Sequence, residues 1–199
     1  HAMSSTLGKK KTAIMHDRVM DINPASKCTI IDDYINEDNH WDYLSPERQY
    51  DYVVDAIDSI KFKSSMIYFC KRNKIPIITT GGAGGVTDPA SIDTRDLSRT
   101  YNDALAAKVR SRLRSEFGFS RNPKRYFGVE CVYSSQQKVF PNADGSVSTD
   151  KPGIHGVHLD CSMGYGSISF VTACFGFTAA SRVVSKILAK NMSKGTDQG

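Results

Sequence analysis

Residues 52–59 read Tyr-Val-Val-Asp-Ala-Ile-Asp-Ser, residues 75–80 read Ile-Pro-Ile-Ile-Thr-Thr, and residues 81–85 read Gly-Gly-Ala-Gly-Gly. The apolar run Tyr52 to Ala56 predicts a strand buried on both faces. Ile60 to Asn73 carries Met66, Ile67, Phe69 and Cys70 among charges, which predicts an amphipathic helix. Pro76 to Thr79 predicts the next parallel strand, and the short links suit βαβ connections. Strand, acidic turn, helix, strand and glycine loop follow one another as in the later half of a nucleotide-binding α/β sheet.

Outward from this stretch, Lys9 to Asp21 has helical spacing and ends at Asn23-Pro24. Thr29-Ile30-Ile31 predicts a short strand over Cys28 to Asp32, and a short helix is expected near Trp41. Ser91 to Leu97 and Phe127 to Ser134 read as strands. Asn102 to Phe117 reads as a long basic helix. Pro141 to Gly156 is a Gly-, Asp- and Ser-rich loop, and Ser167 to Lys190 is the terminal helix. The expectation is a single α/β domain over 1–190 with a flexible polar tail over 191–199.

The chain has 199 residues, 40% of them hydrophobic, which is enough for one core. Its net charge of +5 is compatible with an RNA or nucleotide partner, and equally with a lysine-rich soluble surface. Cysteines 28, 70, 131, 161 and 174 include no Cys-x-x-Cys pair, which argues against a zinc site. Their odd number, with no secretion signal in view, predicts reduced thiols in a cytoplasmic compartment. Ile168 to Leu188 is apolar, but Ser, Thr and Gly interrupt it and Arg182 and Lys186 fall inside it. A buried helix is expected there rather than a membrane span.

Asp55 and Asp58 fall at the end of the first strand, where α/β sheets place their chemistry. A carboxylate there could hold Mg²⁺ together with phosphate oxygens. Asp58 could equally cap the helix that follows Ser59. Lys11, in Lys9-Lys10-Lys11-Thr12, could reach phosphates as a point charge or be part of a solvated basic terminus. The glycine loop is either substrate-facing or a tight crossover. Lys108, Arg110, Arg112 and Arg114 could meet RNA phosphates or form a solvated face. Cys161 precedes the last helix, where a thiol pKa is depressed, but no partner is placed beside it and a structural thiol is expected.

Taken jointly, Val54-Asp55-Ala56-Ile57-Asp58-Ser59, Lys71-Arg72-Asn73-Lys74-Ile75-Pro76 and Thr79-Thr80-Gly81-Gly82-Ala83-Gly84-Gly85 have a family. So do Ala104-Leu105-Ala106-Ala107-Lys108, Gly128-Val129-Glu130-Cys131-Val132, Asp160-Cys161 and Phe175-Gly176-Phe177. They resemble the bacterial tRNA threonylcarbamoyladenosine dehydratases of the ubiquitin-activating-enzyme-like superfamily. The resemblance implies the C-terminal portion of a Rossmann-like fold, with a mostly parallel sheet and flanking helices. It implies ATP-dependent dehydration of threonylcarbamoyladenosine beside the anticodon of tRNA. The threonyl carboxylate is activated as an acyl-adenylate and closes into a ring as AMP leaves.

On the same resemblance Lys11, Asp58 and Ser59 contact the nucleotide, and Asp58 is the catalytic and Mg²⁺-proximal carboxylate. Asp55 is scaffold, and Cys161 matches a family cysteine that the chemistry does not require. The family's opening strand, Gly-x-Gly-x-x-Gly turn and Asn-x-x-Arg element have no counterpart here. The chain alone is therefore expected to be inactive, its N-terminal part left out, lost by proteolysis or supplied separately. Partners implied are tRNA, a second copy in a homodimer, and a sulfur-transfer or cysteine desulfurase system. Two other readings stand beside this one: a degenerate tRNA-binding or dimerisation module, and a sulfur-carrier adenylyltransferase.

Overall fold

The structure is a computed structural model that describes residues 3–142, 144, 146–149 and 166–196. The chain separates into two compact units, 1–35 and 36–199.

The N-terminal unit holds helix α1 (Lys11–Ile22), which ends where Asn23 leaves helical geometry before Pro24. Lys10, at its N-cap, pairs with Asp32 across the unit. The strand expected over Cys28 to Asp32 does not form. A lone β-branched run without a neighbouring strand cannot complete a ladder. Ile30 and Ile31 accordingly remain exposed.

The second unit begins with the short helix α2 (His40–Leu44) and is built on strands β1 (Val53–Asp55), β2 (Ile77–Thr80), β3 (Ile92–Asp96) and β4 (Glu130–Ser134). Their order is β1-β2-β4-β3. β1, β2 and β4 run parallel, with Val53 opposite Ile77 and Thr79 opposite Cys131. β3 returns antiparallel to β4, with Ile92 opposite Ser134 and Asp96 opposite Glu130. Asp96 makes that corner rigid. Its carboxylate accepts from the N–H groups of Phe127 (3.0 Å), Gly128 (2.7 Å) and Val129 (3.2 Å).

Helix α3 (Ile60–Arg72) links β1 to β2, and its Lys63, Met66, Ile67 and Cys70 are buried at the i, i+3, i+4, i+7 spacing of one face. Lys71 and Arg72 in its last turn complement the negative end of the helix dipole. Helix α4 (Ala104–Glu116) buries Ala106, Val109 and Leu113. Because side chains alternate along a strand, Thr79 faces α3 while Ile78 and Val132 face the other side. There they pack against Val171, Phe175 and Ala179 of helix α5 (Ser169–Thr196).

Only one face of α5 is buried, where a buried helix was expected. Phe170, Phe177, Val184 and Leu188 lie exposed on the other side. α5 is long and apolar enough to cross a membrane by length and composition. Its Arg182 and Lys186 nevertheless reach Glu130 of β4 at 2.5 and 3.5 Å. The helix continues past Lys190 to Thr196, into the stretch expected to be a tail. Within the expected 141–156 loop, Phe140–Pro141 (β5) pairs antiparallel with Val147–Ser148 (β6).

The four described cysteines are free thiols. Cys70 and Cys131 are fully buried. Burial, with the nearby Asp55 carboxylate, pushes the Cys70 thiol up to about 12. Burial first, and then Asp103, raises Cys131 as well.

Candidate functional site at the carboxyl ends of β1 and β2

Asp55 and Asp58 have opposite environments although one turn of chain separates them. Asp55 is sealed inside, with Oδ2 accepting from Lys63 Nζ at 2.8 Å and from Thr79 Oγ1 at 2.6 Å. Lys63 Nζ also reaches Thr79 Oγ1 at 2.9 Å. The other carboxylate oxygen of Asp55 takes the N–H of Ile57 at 3.0 Å and so shapes the turn that carries Asp58. A buried ion pair of this kind holds one geometry, because either charge alone would be expensive to bury.

Asp58 is exposed, and among the described residues its carboxylate takes no hydrogen bond or ion pair. It does not cap α3. The N-cap is Ser59, whose side chain makes no capping bond either.

Asp58 stands at a cavity of about 470 Å³, within the ~300–1,000 Å³ range of small-molecule sites. Ala56 and Ile57 after β1, Thr80 at the end of β2 with Gly81 and Gly82 after it, and Thr172 and Phe175 of α5 are among its walls. Asp58 is the one ionisable group among the described residues that line it. A larger cavity of about 700 Å³ lies at the amino ends of β1, β2 and β4 and gathers Lys71, Lys74, Lys186 and Lys190 with Asp96 and Glu130. Open α/β sheets bind ligands at the carboxyl ends of their strands, which favours the smaller cavity.

The glycine loop is held from behind by two buried charges. Asp103 Oδ2 accepts the Gly82 N–H at 2.9 Å, and Lys138 Nζ donates to the Gly82 carbonyl at 2.7 Å. Asp103 Oδ1 caps α4 through the Ala106 N–H at 2.9 Å. A Cβ on Gly81 would fall 2.0 Å from Asp103 Oδ2, so only glycine admits the carboxylate there. Burial lowers the pKa of Lys138, and Asp103 opposes that shift. The loop is thus both a tight crossover and a wall of the cavity.

Lys11 opens α1 in the N-terminal unit and is exposed. Three of the four basic α4 residues are engaged locally. Arg110 donates to Thr100 Oγ1, and burial first and then Arg114 lower its pKa. Arg112 pairs with Glu116 at 2.7 Å. Arg114 lies over the Phe127 ring at 5.3 Å and donates to the Ser120 carbonyl at 3.4 Å. Lys108 is exposed. Cys161 lies outside the described residues.

Lys63, Thr79, Asp103 and Lys138 were not picked out from the sequence. Lys63 had a signal, a lysine in register with Met66, Ile67 and Cys70 on an apolar face. Asp103, directly before the helical pattern of Ala104 onward, had the signature of an N-cap. Lys138 had none.

A mostly parallel sheet with a cavity at the carboxyl ends of its strands, walled by a glycine loop, is the architecture of the α/β proteins that bind nucleotides. The chain belongs to the ThiF family, whose model matches residues 1–198. It is 50% identical over 189 residues to the tRNA threonylcarbamoyladenosine dehydratase of Haemophilus influenzae, covering 95% of this chain and 69% of that protein. Against the dehydratase of Escherichia coli K12 it is 44% identical over 196 residues, covering 98% and 72%. The E. coli enzyme solved in complex with ATP superposes with a TM-score of 0.81 at 40% identity, over 100% of this chain and 70% of that one. These relatives do not favour the sulfur-carrier adenylyltransferase or the non-catalytic module.

Proposed function

We propose that the protein is an ATP-dependent tRNA threonylcarbamoyladenosine dehydratase. The observation that carries the reading is the Asp58 carboxylate, without a partner among the described residues and the one ionisable group of those that line the cavity. The names of the relatives support the substrate, and the ATP complex of the E. coli enzyme supports the nucleotide. ATP supplies an adenylyl group that makes the threonyl carboxylate electrophilic.

A carboxylate next to phosphates repels them unless a cation lies between. Asp58 therefore fits as a Mg²⁺ ligand, with waters and phosphate oxygens completing the shell. Among the described residues no group of three His, Cys, Asp or Glu side chains could hold a metal by itself, which agrees with an ion held mainly by substrate. The free Ser59 hydroxyl and the first N–H groups of α3 suit a phosphate oxygen. Lys11 is proposed as a further phosphate contact. Catalysis then rests on orientation and charge neutralisation.

A homodimer belongs to the proposal, supported by the exposed apolar face of α5. A cytoplasmic location is supported by the free thiols. A sulfur-transfer partner rests on family association alone. The test is mass spectrometry of nucleosides from threonylcarbamoyladenosine-bearing tRNA treated with ATP, Mg²⁺ and this chain, alone and joined to a relative's Gly-x-Gly-x-x-Gly strand-turn segment. The expected product, from the joined protein, is lighter by one water, and its absence there would refute the reading.

A further inference from the structure

If the substrate is a tRNA, part of the surface must hold RNA beyond the reacting nucleoside. The basic face of α4 offers little free charge, because Arg110, Arg112 and Arg114 are engaged within the fold. The segment after α4 differs. Arg121, Lys124, Arg125 and Tyr126 are all exposed, and among the described residues none of the three charged groups takes a hydrogen bond or ion pair.

Tyr126 is 66% exposed, with the Arg99 guanidinium 4.7 Å from its ring centroid. Arg95 lies in the same way 5.3 Å from the ring of Tyr101, which is 43% exposed and sits edge-on to Tyr133. Asp93 pairs with Arg95, and the Asp96 carboxylate is turned to backbone N–H groups, so neither forms an ion pair with Arg121, Lys124 or Arg125. Two residues beyond Tyr101, Asp103 holds Gly82 in the cavity wall.

We propose that this ridge, from Arg121–Tyr126 at the amino end of β4 through Arg99 to Tyr101, binds a single-stranded part of the tRNA away from the reacting nucleoside. The inference rests on the dehydratase reading. Free cations suit phosphates, and a tyrosine ring with a guanidinium on one side and water on the other suits a stacked base. An anionic lipid surface would use the cations but has nothing to stack on the rings.

The test is fluorescence anisotropy of a labelled threonylcarbamoyladenosine-bearing tRNA against salt. The proteins compared are the wild type, the triple variant Arg121→Ser/Lys124→Ser/Arg125→Ser, and the single variants Tyr126→Ala and Lys108→Ser. Circular dichroism and ATP binding serve as fold controls. For the triple variant the expected result is at least ~10-fold weaker binding and a salt slope lower by about 2, at ~0.7 per lost single-strand contact. Tyr126→Ala should weaken binding by about fivefold or more with the slope unchanged. Lys108→Ser should change neither.

Wild-type affinity in the triple variant, an inert Tyr126→Ala, or an equal loss in Lys108→Ser would each overturn the ridge alone. Wild-type protein that binds anionic vesicles as tightly as tRNA would overturn it too. Wild-type protein that binds no tRNA would sink the dehydratase reading and the ridge with it.

Discussion

Lys63 Nζ lies 2.8 Å from Asp55 Oδ2, and the two side chains are 2% and 0% exposed. Removing one partner leaves the other charged and buried. Lys63→Met is expected to cost ~3–5 kcal/mol in urea unfolding. Adding Asp55→Asn should recover about half of that loss, because the amide can still accept from Ile57 and meet Thr79. A double variant no more stable than the single one would contradict this account.

Among the described residues Asp58 makes no side-chain hydrogen bond or ion pair. Asp58→Asn should leave stability within about 0.5 kcal/mol of wild type. Cyclisation of the modified nucleoside should fall about 100-fold or more if Asp58 serves the proposed Mg²⁺, since a neutral amide is a poor ligand for a hard cation. Full activity in this variant would remove Asp58 from the site.

Gly81→Ala and Gly176→Ala should have opposite signs. At Gly81 the new methyl meets the Asp103 carboxylate at 2.0 Å, displacing a helix cap and the Gly82 hydrogen bond together. A loss of ~1–3 kcal/mol is expected. At Gly176, inside α5, no described residue lies within 4 Å of the position a Cβ would take. There alanine should gain ~0.5–1 kcal/mol through helix propensity. Thermal unfolding of both variants compares the two directly.

Asp96 sets part of the acid limit of stability. Burial would raise its pKa, but the Ser98 hydroxyl and the N–H groups of Phe127, Ser98 and Gly128 outweigh it, and the net shift is downward. A carboxylate depressed in the fold stabilises it above the unfolded value of about 3.9. That contribution is lost as pH falls from there through the folded pKa. The stability gap between wild type and Asp96→Asn should therefore be constant near neutrality and shrink below about pH 4. A gap independent of pH would exclude this linkage.

The local parts of this fold were readable. Strand β1, helix α3, strand β2 and the glycine loop announce themselves by apolar runs, one amphipathic period and glycine. What the sequence could not show is distance in space. Asp103 lies 21 residues from Gly82 and Lys138 lies 56 residues away, yet both close on one peptide unit. Nor could it show that Asp58 would stay free while Ser59 became the helix cap, since Asp and Ser are both good caps. The Thr29-Ile30-Ile31 run failed as a strand for a related reason. Propensity proposes a strand, but only a neighbour completes it.

The two interior sulfurs give the molecule a built-in clock. A thiol reagent needs a thiolate, and Cys70 and Cys131 are protonated at neutral pH and closed to solvent. Cys131 sits in β4, paired with β2 on one side and β3 on the other, and Cys70 sits on the α3 face beneath that sheet. Alkylation of native protein at these sulfurs can proceed only through opening of the central strands. Their labelling rates therefore time how often the sheet comes apart, while the partly exposed Cys28 and Cys174 mark the start of the count.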